Sequence, residues 1–192
     1  MTEAKVKTKM IIVAAPSGAG KSSFVDKITK EDSRLVDIIT YTTRAMRRGE
    51  SEGHPYHFVS EGQFRDLLEK DFFVEHAKVH TNWYATPRDQ IDLAWSRGKC
   101  VIMDIDVQGS ATFRRKFPDS KTIFILPPSI DELRRRVIAR DGRVPEDLEV
   151  RMRNAELEMG RQHEFDFQVI NDQFASSYAA FKKIIEDLLG SR

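Results

Sequence analysis

Apolar positions along the chain keep two rhythms. Met10-Ile11-Ile12-Val13-Ala14 is a continuous apolar run closed by Pro16, Gly18 and Gly20. A strand buried on both faces and entering a tight turn has this form. Phe24, Val25 and Ile28 then fall at helical spacing. Val36 to Tyr41 predicts a second strand, which runs into a basic loop from Arg44 to Gly53, and Tyr56 to Val59 predicts a short third. Ser60-Glu61-Gly62-Gln63 has capping-box spacing and opens a helix through Glu69. Phe72 to Val79 reads as extended. Thr86-Pro87-Arg88-Asp89 reads as a helix start with Pro at the first helical position, and Gly98 as the stop.

The second half repeats strand and helix. Cys100 to Asp106 is a buried strand ending in acids, Gln108 to Phe117 a helix, and Thr122 to Leu126 another buried strand closed by Pro127 and Pro128. Ser129-Ile130-Asp131-Glu132 repeats the capping-box spacing before a helix carrying Arg134, Arg135, Arg136 and Arg140. Asp141 to Pro145 breaks that helix, and a second runs to Gln162. Phe167 to Ile170 is the last strand, and Phe181, Ile184, Ile185 and Leu188 mark a closing amphipathic helix.

This order predicts one α/β domain with a three-layer core, a parallel sheet covered by helices on both faces. Its strands lie near residues 10, 100, 122 and 167, and the core comprises 8–35, 99–128 and 163–192. The stretch 36–98, richer in short strands, is expected as an inserted mixed-β lobe, and 129–162 as a helical lid.

Composition narrows the partners. The 31 basic and 30 acidic side chains leave a net charge of +1, so overall charge does not indicate a nucleic-acid binder. The single cysteine, Cys100, excludes an intrachain disulfide and reads as a small core residue. The Lys-rich start lacks a secretory apolar stretch, and no run approaches the roughly 18 apolar residues of a membrane span. A cytoplasmic protein without membrane or nucleic-acid partners is expected. Histidines 54, 57, 76, 80 and 163 show no metal-ligand spacing.

The chemistry concentrates in Ala15-Pro16-Ser17-Gly18-Ala19-Gly20-Lys21-Ser22, between the first strand and the first helix. It fits the phosphate-loop pattern GxxxxGK[ST] except at its first position, where Ala15 replaces glycine. Successive backbone N–H groups form an anion nest, and the helix that follows directs its positive end at the same point. Lys21 adds a cation for the β- and γ-phosphates, and Ser22 a hydroxyl for Mg²⁺. A chain that binds nucleotide phosphates also carries Thr42-Thr43-Arg44 and, nearby, Arg47 and Arg48. Arginine forks suit phosphate oxygens, and Tyr56 and Tyr84 offer phenolic hydroxyls. Asp104 and Asp106 close a buried strand at the end where open α/β sheets bind ligands. They are expected to face apart, one toward Lys21 and Mg²⁺ and one toward the acceptor.

Taken together these stretches resemble guanylate kinases, P-loop nucleoside monophosphate kinases. The resemblance is carried by 15–23, by Thr42-Thr43-Arg44 with Arg47, and by Gly49-Glu50 and Gly53 to Val59. It continues in Phe73-Val74-Glu75, Asn82 to Thr86, Asp104 to Gly109, Pro127-Pro128-Ser129, the arginine-bearing lid and Val169 to Asp172. It implies phosphoryl transfer from ATP to GMP, with Mg²⁺, in a monomer or homodimer. It implies ATP contacts from Ala15, Pro16, Ser17, Gly18, Ala19, Gly20, Lys21, Ser22 and Ser23, with Asn171 beside the adenine. Arg44, Arg47, Tyr56 and Tyr84 would hold the GMP phosphate, Glu75 and Asp106 the guanine edge, and Thr40 and Thr86 would stand near the base. Thr86 has a helix-capping reading of equal weight. Asp104 would stand between the acceptor and the Mg²⁺ site. Arg134 or Arg135, with Arg151, would close on the ATP phosphates, and Arg136 or Arg140 could take a neighbour's part. Met46, Ala85 and the turn Asp141 to Pro145 depart from the family's usual residues. Competing readings are a kinase for another nucleoside monophosphate, a non-catalytic scaffold module and a GTPase-like switch. Intact Lys21, Ser22, Arg44 and Arg47 count against the module. The absence of an Asn-Lys-x-Asp tetrapeptide counts against the switch.

Overall fold

The computed structural model describes residues 8–47, 49–79 and 81–190. The Lys-rich start, Arg48 and His80 lie outside the described residues. The chain opens with β1 (Met10–Ala14), α1 (Lys21–Glu31), β2 (Leu35–Asp37), β3 (Tyr41–Thr42), β4 (His57–Phe58) and α2 (Glu61–Glu69). Then come β5 (Phe73–Val79), β6 (Asn82–Pro87), α3 (Arg88–Ser96), β7 (Cys100–Ile105), α4 (Val107–Lys116) and β8 (Lys121–Leu126). The last elements are α5 (Ile130–Asp141), α6 (Leu148–Gly160), a short 3₁₀ turn, β9 (Phe167–Ile170) and α7 (Phe174–Leu189).

The expected parallel sheet is present, in the order β2-β7-β1-β8-β9. Alternation along β1 sends Ile11 and Val13 to one face and Met10 and Ile12 to the other. The first pair packs with Phe24 and Ile28 of α1, Leu133 and Val137 of α5, and Phe181 and Ile185 of α7. The second packs with Ile91 of α3 and Phe113 of α4. Both faces are therefore covered, which is why the central strands lack the polar half of an amphipathic pattern. Cys100 is buried in the first of these cores.

One expected strand, Val36 to Tyr41, is two. β2 pairs with β7 as the edge of the core sheet, and β3 belongs to a second sheet ordered β4-β3-β6-β5. The boundary set at residue 36 therefore cuts through β2, and the core runs to Asp37. The inserted sheet is mixed, β3 lying parallel to β4 and antiparallel to β6. Its small core gathers Phe64, Phe73 and Ala85, with Tyr41, Phe72 and Trp83 against them. β6 was not anticipated; Thr86 lies in it, buried, and Pro87 rather than Thr86 is the N-cap of α3. This removes the capping reading of Thr86. Ser60 closes a complete capping box with Gln63. Ser129 makes only half of one, because the Glu132 side chain pairs with Arg135 and Arg136. Among the described residues no helix is long and apolar enough to cross a membrane.

Candidate active site

The phosphate loop joins the buried end of β1 to α1. Gly18 and Gly20 take φ of +96° and +95°, a conformation that costs glycine nothing and other residues much. A Cβ on Gly18 would stand 2.8 Å from Val137 Cγ2, and one on Gly20 2.8 Å from Asn171 Nδ2. Both glycines are therefore required by conformation and by space. Ala15 fills the first position without a positive φ, so the missing glycine is not needed there. Ala19 N–H closes a turn on the Pro16 carbonyl at 3.0 Å. Asn171 is buried and donates its amide to the Ala19 carbonyl at 2.9 Å, so it braces the loop from β9. Lys21 is the first residue of α1, and Ser22 and Ser23 are exposed beside it.

Ser22 Oγ donates to Asp104 Oδ2 at 2.6 Å, which brings the two residues expected near a metal into contact. Residues two apart in one strand share a face, so alternation cannot part Asp104 from Asp106. They part because β7 ends at Ile105, and Asp106 turns away to cap α4, accepting from Gly109 N at 2.7 Å. Sequence reasoning missed two acids nearby. Asp37 closes β2, where burial, then the charges of Asp104 and Asp26, push its carboxyl up to about 7. Burial and the charge of Asp106 push Glu158 of α6 up to about 6, with Lys21 pulling the other way. Neither had a signal in the sequence, where Asp37 sits inside the run Val36 to Ile39 rather than at its end.

The acceptor loop is organised by Glu50. One oxygen accepts from Arg44 Nη2 at 2.8 Å and the other from the Arg47 backbone N at 2.7 Å. Burial works against its charge, but Arg44 and the Arg47 amide outweigh it and hold its pKa below the ordinary value. The Arg44 guanidinium lies over the rings of Tyr56 and Phe58, and Tyr56 meets Tyr84 edge to face at 5.7 Å. Burial, and then the charge of Asp104, push the Tyr56 phenol well above its ordinary value, so it remains a neutral donor. Glu75 stands opposite Thr86 in the β5–β6 register. Burial and the charge of Asp106, opposed by Lys116, push its carboxyl up to about 7. The Lys116 ammonium donates to the Val74 carbonyl and ties this strand to α4. Thr40 precedes β3 and accepts from His57 N through its carbonyl at 3.0 Å.

A cleft of 810 Å³ separates the acceptor loop from the lid. Arg47 and Glu50 line one side; Arg140, Asp141, Arg143, Asp147 and Arg151 line the other. Arg151, one of the expected lid arginines, is among the residues lining the cleft. Arg134 and Arg135 do not line it: Arg134 is held by both oxygens of Glu149, and Arg135 pairs with Glu132 while 77% exposed. Helical phase in α5 accounts for Arg135, and the pairing with Glu149 for Arg134. Leu133 and Val137 fix the buried stripe, which places Arg136 and Arg140 along its flank and Arg135 opposite it. Arg136 reaches Glu132 at 2.8 Å and the Asp172 carbonyl at 3.4 Å.

The guanylate kinase family profile matches residues 7–188. A guanylate kinase of Bdellovibrio bacteriovorus is 61% identical over 184 residues, covering 96% of this chain and 100% of that protein. One from a Polaromonas species is 42% identical over 176 residues, 92% of this chain and 85% of its own. The crystal structure of guanylate kinase from Anaplasma phagocytophilum superposes with a TM-score of 0.81 at 27% identity, covering 97% of this chain and 89% of that one. This chain belongs to the guanylate kinase family.

Proposed function

We infer that this chain transfers the γ-phosphoryl group of ATP to the phosphate of GMP, giving ADP and GDP in purine nucleotide metabolism. The observation that carries the reading is the cleft in which Arg47 of the acceptor loop faces Arg140 and Arg151 of the lid. A nucleotide-binding switch needs the phosphate loop alone; a second, arginine-built anion site on an inserted sheet is what a phosphate acceptor requires. Because the acceptor is already an anion, the chain's residues position and neutralise and no strong base is called for. Lys21 and the loop amides hold the donor phosphates, Arg140 and Arg151 offset charge from the lid, and Arg44, Arg47, Tyr56 and Tyr84 hold the acceptor phosphate. Glu75, Asp106 and Thr86, with Thr40 nearby, read the base, and Asn171 acts through the loop it braces. Ser22 and Asp104 offer the hard oxygen donors that suit Mg²⁺, which when bound would neutralise phosphate charge. ATP and GMP are intracellular nucleotides, which supports a cytoplasmic enzyme, monomer or homodimer, with small-molecule partners only. A coupled assay of ADP release from ATP and Mg²⁺ tests the reading. ADP is expected to appear only when GMP is added; no release with any nucleoside monophosphate would sink it.

Substitutions in the acceptor loop should act on one substrate. Arg44→Ala and Arg47→Ala are each expected to weaken GMP binding by about 1.5–3 kcal/mol, the range for hydrogen bonds to charged groups. Arg44→Ala should be the worse, because it leaves Glu50 uncompensated beside the phosphate. ATP affinity should hold. Calorimetry that finds GMP binding intact in both variants would return the loop to solvated surface.

Acidity should reach the acceptor through Glu75. Its folded pKa is raised, so it is ionised only as pH rises through about 7. Guanine donates to this carboxylate, and binding should weaken as the group protonates. The KM for GMP is expected to rise about tenfold from pH 8 to pH 6, since one pKa unit is worth a factor of ten. The GMP phosphate itself titrates near pH 6, at about its second pKa, so the contrast is with Glu75→Gln. That variant should lose the Glu75 part of the profile. Identical profiles in the two proteins would remove Glu75 from base recognition.

A further inference from the structure

The carboxylate of Asp141, the last residue of α5, takes both of the lid arginines that the proposed function assigns to the donor phosphates. Its Oδ1 accepts from Arg140 Nε at 2.9 Å, and its Oδ2 from Arg151 Nη1 at 3.0 Å. Arg151 also gives its Nε to Asp147 at 2.9 Å. A planar anion whose oxygens bridge separate guanidinium groups makes the pattern of contacts that phosphoryl oxygens make with the same donors. All of these residues line the cleft shared with Arg47.

We propose that Asp141 is a positioning residue that stands in for a phosphoryl group, holding Arg140 and Arg151 together and yielding them to the ATP phosphates in competition. The proposal rests on the phosphotransferase reading of this cleft. Asp141 keeps the two guanidinium groups from repelling one another and keeps them beside the cleft. Its charge also opposes a polyphosphate that seeks the same donors. Hydrogen bonding from Arg140, and then the nearby positive charges, hold its carboxyl below the ordinary range, so it stays ionised wherever the enzyme can be assayed. The competition is modest, because both pairs are open to water: Asp141 is 27% exposed, Arg140 43% and Arg151 30%.

The test replaces the charge and keeps the shape. Asp141→Asn should tighten ATP and ADP by about three- to tenfold, the scale of an exposed charged pair made twice. The gain should be equal at pH 6.5 and pH 8.5, and GMP affinity should not move. Asp141→Glu, which restores the charge, should return ADP affinity toward that of the unsubstituted chain. Weaker ATP binding in Asp141→Asn would show that Asp141 builds the site rather than competes for it. Unchanged nucleotide affinity would show ordinary surface pairs. Either result overturns the proposal, as does tightening of GMP instead of ATP. ADP affinity is read by calorimetry without turnover. The proposal is therefore judged even if the chain forms no GDP, an outcome that would count against the proposed function alone.

Discussion

Lys21→Ala is expected to lower kcat by about a thousandfold or more, the loss seen when one preorganised contact to a transition-state charge is removed. GMP binding should stay nearly intact, because the acceptor residues lie on the inserted sheet and its loops and, for Asp106, at the start of α4. Unfolding would not explain such a loss. Lys21 is the first residue of α1, directly after the left-handed Gly20. A cation at that end opposes the helix dipole by about 0.3–1 kcal/mol, and alanine is the strongest helix former. The variant should therefore melt at the same temperature as the parent or slightly above it while turnover collapses. Measuring both separates the readings: wild-type-like turnover would remove the loop from the donor site, and a large fall in melting temperature would make Lys21 a structural residue. Stability given up at a charged helix start is what a site held for function looks like.

The phosphate loop was legible because its parts are contiguous. The loop glycines, Lys21 and Ser22 occupy neighbouring positions, and the strand before them and helix after them are set by local apolar rhythm. The features that escaped depend on partners far along the chain. Nothing between Val36 and Tyr41 announces a break between sheets. The break is made where Ile39 N–H donates to the Gln90 side chain at 2.9 Å and the Ile39 carbonyl accepts from its amide at 3.3 Å, across a separation of 51 residues. β6 carries no strong strand pattern of its own and is held by pairing with β5 and β3. Glu50 was seen only as part of a matching stretch, although it fixes both Arg44 and Arg47. The choice among the lid arginines stayed open for a different reason. Their helix was expected, but the choice among neighbours turned on its phase. The Leu133 and Val137 stripe supplies that phase once they are known to pack in the core beneath the loop.

Base choice should be the sharpest property of the acceptor lobe. Guanine presents two donors on one edge, N1–H and the 2-amino group, and an ionised carboxylate only accepts. Glu75 and Asp106 are near enough for the charge of one to raise the pKa of the other. Asp106 spends one oxygen on Gly109 N, which orients the group and leaves the second oxygen free of that bond. Adenine would bring a lone pair at N1 and no 2-amino group to these acids. Sites built on partly buried polar partners reject a mismatched analogue by about 10⁴–10⁵. We expect kcat/KM for GMP to exceed that for AMP by at least about a thousandfold, a cautious figure below that range. Inosine monophosphate keeps N1–H and lacks the 2-amino group, so it should fall between them. Glu75→Gln should narrow the gap, because an amide both donates and accepts. Acid should narrow it too. With its pKa near 7, Glu75 is largely protonated at pH 6, where it loses an acceptor for guanine and gains a donor for adenine N1. Competition assays at pH 6 and pH 8 would decide. A ratio that stays constant across that range, or an enzyme that uses AMP or UMP as well as GMP, would take the base away from Glu75 and Asp106 and leave the phosphate chemistry standing.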